Sequence, residues 1–202
     1  MRIIKKKIDY TLDKEEFFKL LNNLNENDKE KILKYKKYED SLRSLYGKLL
    51  LKDELNLKEL NLSYNKYGKP YLKDKCTDTH FNISHSGEWV VLAIDNVPIG
   101  IDIQEVTNID LKIAKRFFSS EESSYIFSLS EEDQTEAFFK LWSLKEAYIK
   151  ADGRGLSIPL NSFTIDISSN PPILGQDKNL KRCELYTEKV GENYFMSICR
   201  MF

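Results

Sequence analysis

The sequence predicts an α+β fold made of two similar halves, each with helices packed on a small antiparallel sheet. Helical patterns precede short β-branched runs in both halves of the 202-residue chain. Hydrophobic residues make up 41% of the chain, which is enough to bury a core. Because no low-complexity linker separates the halves, we expect two facing subdomains, residues 1–96 and 97–202, that form one functional unit.

The first half is predicted to begin with a strand from Arg2 to Tyr10. Asp13, followed by Glu16 three residues later, is typical of the N-cap of a helix. The periodicity then predicts helices at 29–38 and 39–53. Short apolar runs separated by turn residues predict strands at 81–83, 89–94 and 99–103.

The second half repeats this order. Helices are predicted at 110–118, 121–129 and 131–151, and strands at 162–167, 181–188 and 193–200. The segment 168–176 contains Pro171 and Pro172, and we interpret it as an exposed loop. The boundary between the halves is predicted near 96–98.

Composition argues against several classes of protein. The 31 basic and 32 acidic residues give a net charge of −1, which does not favour a general duplex-DNA binder, so we expect no nucleic-acid partner. The longest apolar run, Trp89 to Ile94, is far shorter than the ~20 residues of a membrane span. Cys76, Cys183 and Cys199 lack metal-site spacing and are predicted to lie in the core. We therefore expect a soluble cytoplasmic protein without a membrane partner.

Gly100, Asp102 and Gln104 are predicted to share one face of a strand, because alternate residues of a strand point the same way. The oxygens of Asp102 and Gln104 would lie roughly 7 Å apart. That separation suits one hard cation, with Gly100 leaving room for a ligand. The alternative is an amphipathic strand with a solvated polar face, and this pattern alone favours the alternative.

Trp142, Glu146 and Lys150 are predicted to form one row on a long helix, since they are spaced four residues apart. An ordinary surface pair of Glu and Lys would contribute about 0.2 to 0.5 kcal/mol. The helix is apolar nearly all round, however, which predicts burial. A buried Glu and Lys would need a partner or a ligand.

Ser84 and His85 are adjacent, so a strand would point them to opposite faces and they cannot form a serine–histidine catalytic pair by themselves. His85 is either a donor to phosphate or a turn histidine. The lysine-rich segment 29–37 and Lys69 are interpreted either as phosphate contacts or as parts of a solvated surface.

Five sequence blocks occur in a characteristic order: GKPY at 68–71, FNISHSG at 81–87, PIGIDIQ at 98–104, KRFFSSEE at 115–122 and FFKLWSLKEAYIKADGRGLSIPL at 138–160. As a set they resemble the signature blocks of the 4'-phosphopantetheinyl transferases. The resemblance is to the longer, surfactin-synthetase-activating branch. It is close from Gly68 to Phe163 and weaker over 28–47.

The resemblance implies transfer of the phosphopantetheine arm of coenzyme A to a serine of an apo acyl or peptidyl carrier protein. The reaction would release adenosine 3',5'-bisphosphate with the help of Mg²⁺. A monomeric pseudo-dimer is implied, with coenzyme A in the cleft between two α/β subdomains. The alternative is a non-catalytic protein that binds coenzyme A or a carrier protein. A metal-dependent nuclease is disfavoured, because Glu146 and Lys150 lie a helical turn apart.

The resemblance also implies roles for individual residues. The metal ligands would be Asp102, Gln104 and Glu146; the catalytic residues Glu146, Lys150, Asp102 and His85; the contacts to coenzyme A Lys31, Arg43, Ser44, Lys69, Ser84, His85 and Lys150. Two positions depart from the family pattern. Gln104 stands where glutamate is usual, and Asp28 stands where lysine is common.

Overall fold

The computed structural model describes residues 1–73, 78–175 and 180–202. The helices are α1 (Lys14–Leu21), α2 (Glu26–Leu33), α3 (Tyr38–Glu54), α4 (Ala114–Phe117), α5 (Ser120–Ser128) and α6 (Glu131–Asp152). The strands are β1 (Arg2–Lys7), β2 (Leu62–Tyr64), β3 (Pro70–Leu72), β4 (His80–Ser86), β5 (Trp89–Asp95), β6 (Ile99–Glu105), β7 (Ile165–Asp166), β8 (Ile173–Leu174), β9 (Cys183–Val190) and β10 (Tyr194–Met201).

The two halves share one topology. Each contains a three-stranded antiparallel sheet, ordered β1-β5-β4 in the first half and β6-β10-β9 in the second. In both sheets the first strand of the half lies at an edge, and the last strand lies in the centre. Each half also inserts helices and a small hairpin, β2–β3 or β7–β8, after its first strand. The predicted α+β fold with two similar halves is confirmed.

The elements stack in four layers, helix on sheet on sheet on helix. Three cores separate the layers: one between α1–α3 and the first sheet, with Phe17, Leu42 and Leu92; one between the sheets, with Val91, Ile101 and Met196; and one between α6 and the second sheet, with Leu144, Tyr148 and Phe195. Strand β5 is buried on both faces, which explains its continuous apolar sequence.

Some predicted boundaries are wrong. The helix expected at 29–38 is α2, which starts earlier because the Asn25 side chain caps it by accepting from the Asp28 N–H at 2.9 Å. Strand β1 ends at Lys7. The helix at 110–118 divides into a 3₁₀ turn and α4, and the strand at 162–167 shrinks to β7.

The cysteines match the expectation of core residues only in part. Cys199 is buried and Cys183 is half-buried, whereas Cys76 lies outside the described residues. The end of the loop predicted at 168–176 also lies outside them. Within the described ranges, no helix combines the length and apolar character that a membrane span requires.

Helix α6 lies directly on the backbone of β6 at Gly100. A Cβ at this position would collide with Ala147 O and Ala151 N of the helix. The prediction that Gly100 leaves room for a ligand is therefore wrong, because α6 occupies that space. This close approach brings the side chains of α6 over the polar face of β6.

We expect Gly100→Ala to destabilise the protein by about 1 to 3 kcal/mol, the usual cost of overpacking a tight contact. Denaturant unfolding checks this. Gly47→Ala on α3 is the matched control: its Cβ would meet a side-chain atom, Ile83 Cγ2, at 3.1 Å, and alanine favours the helix. A loss at Gly100 no larger than at Gly47 would contradict the close contact.

Candidate active site

Side chains of β4, and not its backbone groups, form hydrogen bonds with the backbone of the edge strand β6. Alternate residues of β4 accept hydrogen bonds from alternate backbone N–H groups of β6: Asn82 from Ile101 at 2.8 Å, Ser84 from Ile103 at 3.4 Å and Ser86 from Glu105 at 3.0 Å. The constant offset of 19 positions means that the two strands run parallel. These contacts join the first half of the chain to the second.

Asp102 lies beside this junction and is only 2% exposed. Its Oδ1 accepts from the Ser84 hydroxyl at 2.8 Å and from Lys150 Nζ at 2.5 Å. Its Oδ2 accepts from Gln104 Nε2 at 2.8 Å. Three donors therefore hold the buried carboxylate in one orientation, and one of them is a cation.

Gln104 contacts the Asp102 carboxylate through its amide nitrogen and not through its amide oxygen. Its amide nitrogen faces Asp102 Oδ2, and an amide N–H cannot bind a cation. The expected role of Gln104 as a metal ligand, which would use its amide oxygen, stays a prediction. In the structure Gln104 orients Asp102.

Ser84 is also more enclosed than expected. It is 6% exposed, and besides its bonds to Asp102 and Ile103 its hydroxyl accepts from Lys150 Nζ at 2.9 Å. The expected contact between Ser84 and a phosphate stays a prediction, and in this structure the hydroxyl has three internal partners. Ser84 instead links Asp102 to Lys150.

Glu146 lies one turn before Lys150 on α6 and is half-buried. Among the described residues, its carboxylate has no hydrogen bond or ion pair. Burial raises the pKa of Glu146, the negative charge of Asp102 raises it further, and the Lys150 ammonium partly offsets both. An acidic group with a raised pKa and a second carboxylate nearby is typical of a functional site.

The acidic side chains of this site suit a metal ion only in part. Across residues 1–73, 78–175 and 180–202, no group of three His, Cys, Asp or Glu side chains could hold one. Asp102 and Glu146 still offer two carboxylates, and Mg²⁺ is commonly held by one or two carboxylates together with substrate phosphates. The residues fit a hard cation that a phosphorylated substrate helps to bind.

Positive charge surrounds this carboxylate pair. His85 lies at the surface near Lys150 and Arg43; partial desolvation lowers its pKa first, and the two cations lower it further. Arg43 donates to Gly87 O at 3.3 Å and to Asp40 Oδ1 at 2.8 Å. The positive charges of Lys150 and Arg43 favour an anionic ligand, to which a neutral His85 imidazole could donate a hydrogen bond.

A cavity of about 540 Å³ adjoins Arg43. Its lining includes Tyr10, Tyr38, Gly87 and Tyr194, so residues of both halves contribute to it. The cavity is large enough for part of a small-molecule ligand.

Three other predicted contacts lie apart from the Asp102 cluster. Lys31 is exposed, and its Nζ lies over the Tyr64 ring at 4.6 Å from the centroid. Lys69 Nζ donates to backbone carbonyls, at 3.2 Å to Ile99 O and 3.0 Å to Ala151 O. Neither lysine has a hydrogen bond or ion pair to the cluster. Ser44 is half-buried beside Arg43.

Asp28 does not face a ligand either. It is 3% exposed and accepts from Lys48 Nζ at 2.7 Å, an ion pair that joins α2 to α3. The acidic residue at this position is therefore explained by helix packing.

A buried ion pair behind the site was not among the features that the sequence predicted. Lys145, on α6 next to Glu146, is fully buried and contacts Glu122 at 2.8 Å. Lys145 Nζ also donates to Leu160 O at 2.7 Å and Phe163 O at 2.5 Å, and burial lowers its pKa to about 8. Glu122 closes a capping box with Ser119. The sequence signal was the Ser-x-x-Glu spacing within KRFFSSEE.

Comparison with known proteins assigns the family. A family model described as "4'-phosphopantetheinyl transferase superfamily" matches residues 98–199, and one described as "4'-phosphopantetheinyl transferase, N-terminal" matches residues 10–97. The chain belongs to the 4'-phosphopantetheinyl transferase superfamily. The 4'-phosphopantetheinyl transferase gsp of Aneurinibacillus migulanus is 38% identical over 97% of this chain and 84% of its own length. The transferase Sfp of Bacillus subtilis (strain 168) is 37% identical over 95% of this chain and 88% of its own. These similarities place the chain in the Sfp-type branch of the superfamily.

A solved structure, a holo-(acyl-carrier-protein) synthase from Bacillus anthracis in complex with CoA (3',5'-ADP), matches 52% of this chain and 95% of that chain. The TM-score is 0.45 and the identity 24%.

We expect Glu146→Gln to stabilise the protein at pH 7. Because the pKa of Glu146 is raised in the folded state, its ionisation costs stability as pH rises from the unfolded value through the folded one. The gain should therefore be small near pH 4 and grow toward pH 7. Urea-unfolding midpoints at both values measure it.

Glu132→Gln, at an exposed position of the same helix, is the control and should show no such gain. A Glu146→Gln variant that is equally stable or less stable than wild type at pH 7 would contradict the raised pKa.

Proposed function

We propose that this chain transfers the 4'-phosphopantetheine arm of coenzyme A to a serine hydroxyl of an apo acyl or peptidyl carrier protein. The observation that carries the proposal is the meeting of Asp102, Glu146 and Lys150 at the junction of the two halves. The named activity of the relatives supports the same reaction.

Monomeric state, cytoplasmic location and the boundary near 96–98 stay predictions.

The proposed reaction forms a bond from the serine oxygen to the β-phosphorus of coenzyme A. It breaks the bond from that phosphorus to the bridging oxygen and releases adenosine 3',5'-bisphosphate. Phosphoryl-type transfer depends mainly on positioning and charge stabilisation. Lys150 supplies a positive charge on the same helix face as Glu146, where a pyrophosphate group would lie.

Glu146 is the proposed acceptor of the serine proton, either directly or through a water. Its carboxylate is free of protein donors among the described residues, so it can accept a proton. Ser84 and Gln104 hold Asp102 in place, which leaves Glu146 as the carboxylate of the pair that no protein donor occupies.

Mg²⁺ is the proposed cofactor, with Asp102 and Glu146 as its protein ligands. When bound, it would neutralise charge on the pyrophosphate oxygens. Arg43 and His85 are the proposed contacts to other phosphate oxygens, since Arg43 is a cation and the neutral His85 imidazole can donate a hydrogen bond.

Non-catalytic binding of coenzyme A or of a carrier protein is the second candidate. The observation that favours it is Gln104, a neutral residue whose amide nitrogen faces Asp102. A binder would retain the cations around Arg43 without needing the free Glu146 carboxylate. Direct assay of the carrier protein separates the two candidates.

We expect wild-type protein, incubated with coenzyme A, Mg²⁺ and a panel of apo carriers, to increase the mass of a carrier by one phosphopantetheine arm. Asp102→Ala and Glu146→Gln should abolish transfer, because each removes charge from the reacting centre. Lys150→Ala should weaken coenzyme A binding and also slow transfer, because the ammonium faces phosphate in the ground and transition states. Mass spectrometry and calorimetry provide the two measurements.

Glu132→Gln should retain full activity, and unfolding midpoints establish that each variant is folded. Wild-type protein that binds coenzyme A but modifies no carrier would support the second candidate. Near wild-type turnover by Asp102→Ala at saturating Mg²⁺ would show that the ligand assignment is wrong.

We expect Gln104→Glu to lower the Mg²⁺ concentration needed for half-maximal transfer. The change replaces an amide donor with a second negative charge beside Asp102, so a cation is held more strongly. The gain should be about 1 kcal/mol, because substrate phosphates already contribute charge and solvent screens the addition. A Mg²⁺ titration at saturating coenzyme A measures the effect.

The same substitution should lower the unfolding temperature without Mg²⁺, since two carboxylates then repel each other. Added Mg²⁺ should restore part of that loss. An unchanged Mg²⁺ requirement in a folded variant would mean that residue 104 does not face the ion.

A further inference from the structure

The C-terminal end of α6 is held by the turn that joins β2 to β3. The last carbonyls of a helix lack partners within the helix. Lys69 Nζ donates to Ala151 O at 3.0 Å, and Asn65 Nδ2 donates to Gly153 O at 2.8 Å. Both donors belong to the first half of the chain, whereas α6 belongs to the second.

The same Lys69 ammonium donates to Ile99 O at 3.2 Å. Ile99 is the first residue of β6, the strand that carries Asp102. One side-chain group therefore connects the end of α6 to the start of β6. The contact lies next to Gly100, where helix and strand touch.

The turn that carries Lys69 is internally fixed. Asn65 Oδ1 accepts from the backbone N–H groups of Tyr67 and Lys69, both at 2.9 Å. A Cβ at Gly153 would lie 3.1 Å from Lys69 Cδ, so the lysine stem packs against the end of the helix. The ammonium thus approaches α6 from a defined direction.

A cation at a helix C-terminus is favourable, because the helix dipole places negative charge there. Burial lowers the pKa of Lys69 to about 8, and its charged neighbours are Asp152 and Lys181. Two of the three N–H groups are already used by backbone carbonyls. A lysine that is ready to bind a phosphate would have its N–H groups unpaired, and Lys69 does not.

We propose that Lys69 is a positioning residue for the transfer: it clamps the end of α6 onto β6 and thereby sets Lys150 and Glu146 against Asp102. The inference rests on the proposed function. Lys150 directly precedes Ala151, whose carbonyl Lys69 holds. A shift of the helix end would therefore move Lys150 away from Ser84 and Asp102.

The test compares Lys69→Met with wild type. Methionine keeps an unbranched apolar stem but donates no hydrogen bond. We expect kcat to fall on the order of tenfold to a hundredfold, as misplacement of reacting groups does. The Kd of coenzyme A, measured by calorimetry, should rise less than in Lys150→Ala, because the Lys150 ammonium is displaced but not removed. Rates are taken well below the unfolding midpoint, so that a loss of stability alone would not lower them.

Lys66→Met is the matched control. Lys66 is an exposed lysine of the same turn, with its Nζ over the Tyr67 ring, and its loss should change neither kcat nor Kd. Asn65→Ala is a second test of the clamp that changes no charge. It should also lower kcat with a smaller rise in Kd than Lys150→Ala shows, and it decides the question if Lys69→Met does not fold.

A Lys69→Met variant with raised Kd and unchanged kcat would overturn the inference and make Lys69 a phosphate ligand. Unchanged kcat in both Lys69→Met and Asn65→Ala would overturn it as well. If wild-type protein transfers nothing, the proposed function fails first. The wild-type assay therefore distinguishes failure of the function from failure of the clamp.

Discussion

The structure depends on how the free edge of β6 is satisfied. An edge strand presents unpaired N–H and C=O groups, and burying them without partners is costly. Side chains from elsewhere supply partners: polar residues of β4 accept from N–H groups, while Lys69 and Lys150 donate to carbonyls. The same contacts join the halves and position Asp102. Fold and candidate site therefore share one set of hydrogen bonds.

This sharing explains why the polar residues of β4 alternate. Asn82, Ser84 and Ser86 have short side chains, so the two edges approach closely without forming a ladder. Ser84 is the member that also reaches Asp102 and Lys150. Behind the site, the buried Lys145–Glu122 pair ties α6 to α5 and to the segment at 160–163. Removing one partner of such a pair leaves a buried charge uncompensated, which is strongly destabilising.

Much of this arrangement could be predicted from residue patterns. The alternation of side chains along a strand placed Asp102 and Gln104 on one face of β6. The spacing of four residues placed Glu146 and Lys150 on one face of α6. Side-chain hydrogen bonds between distant segments could not be predicted, because no periodicity encodes them. The bond from Gln104 to Asp102 and the backbone contacts of Lys69 are of this kind. Resemblance assigned a ligand contact to Ser84, whose hydroxyl the fold also uses internally, and it gave no reason for Asp28, which pairs with Lys48.

The shared topology of the two halves also bears on how many active sites one chain contains. By topology, the junction of β6 with β4 has a counterpart between β1 and β9. There the structure shows an ion pair, Lys5 with Glu188 at 3.0 Å, and both side chains are substantially exposed to solvent. Duplicated architecture has therefore not produced duplicated chemistry in the described parts of the chain. One copy of the junction holds the proposed reactive groups and the other holds a surface pair. A single chain is therefore expected to turn over one substrate at a time.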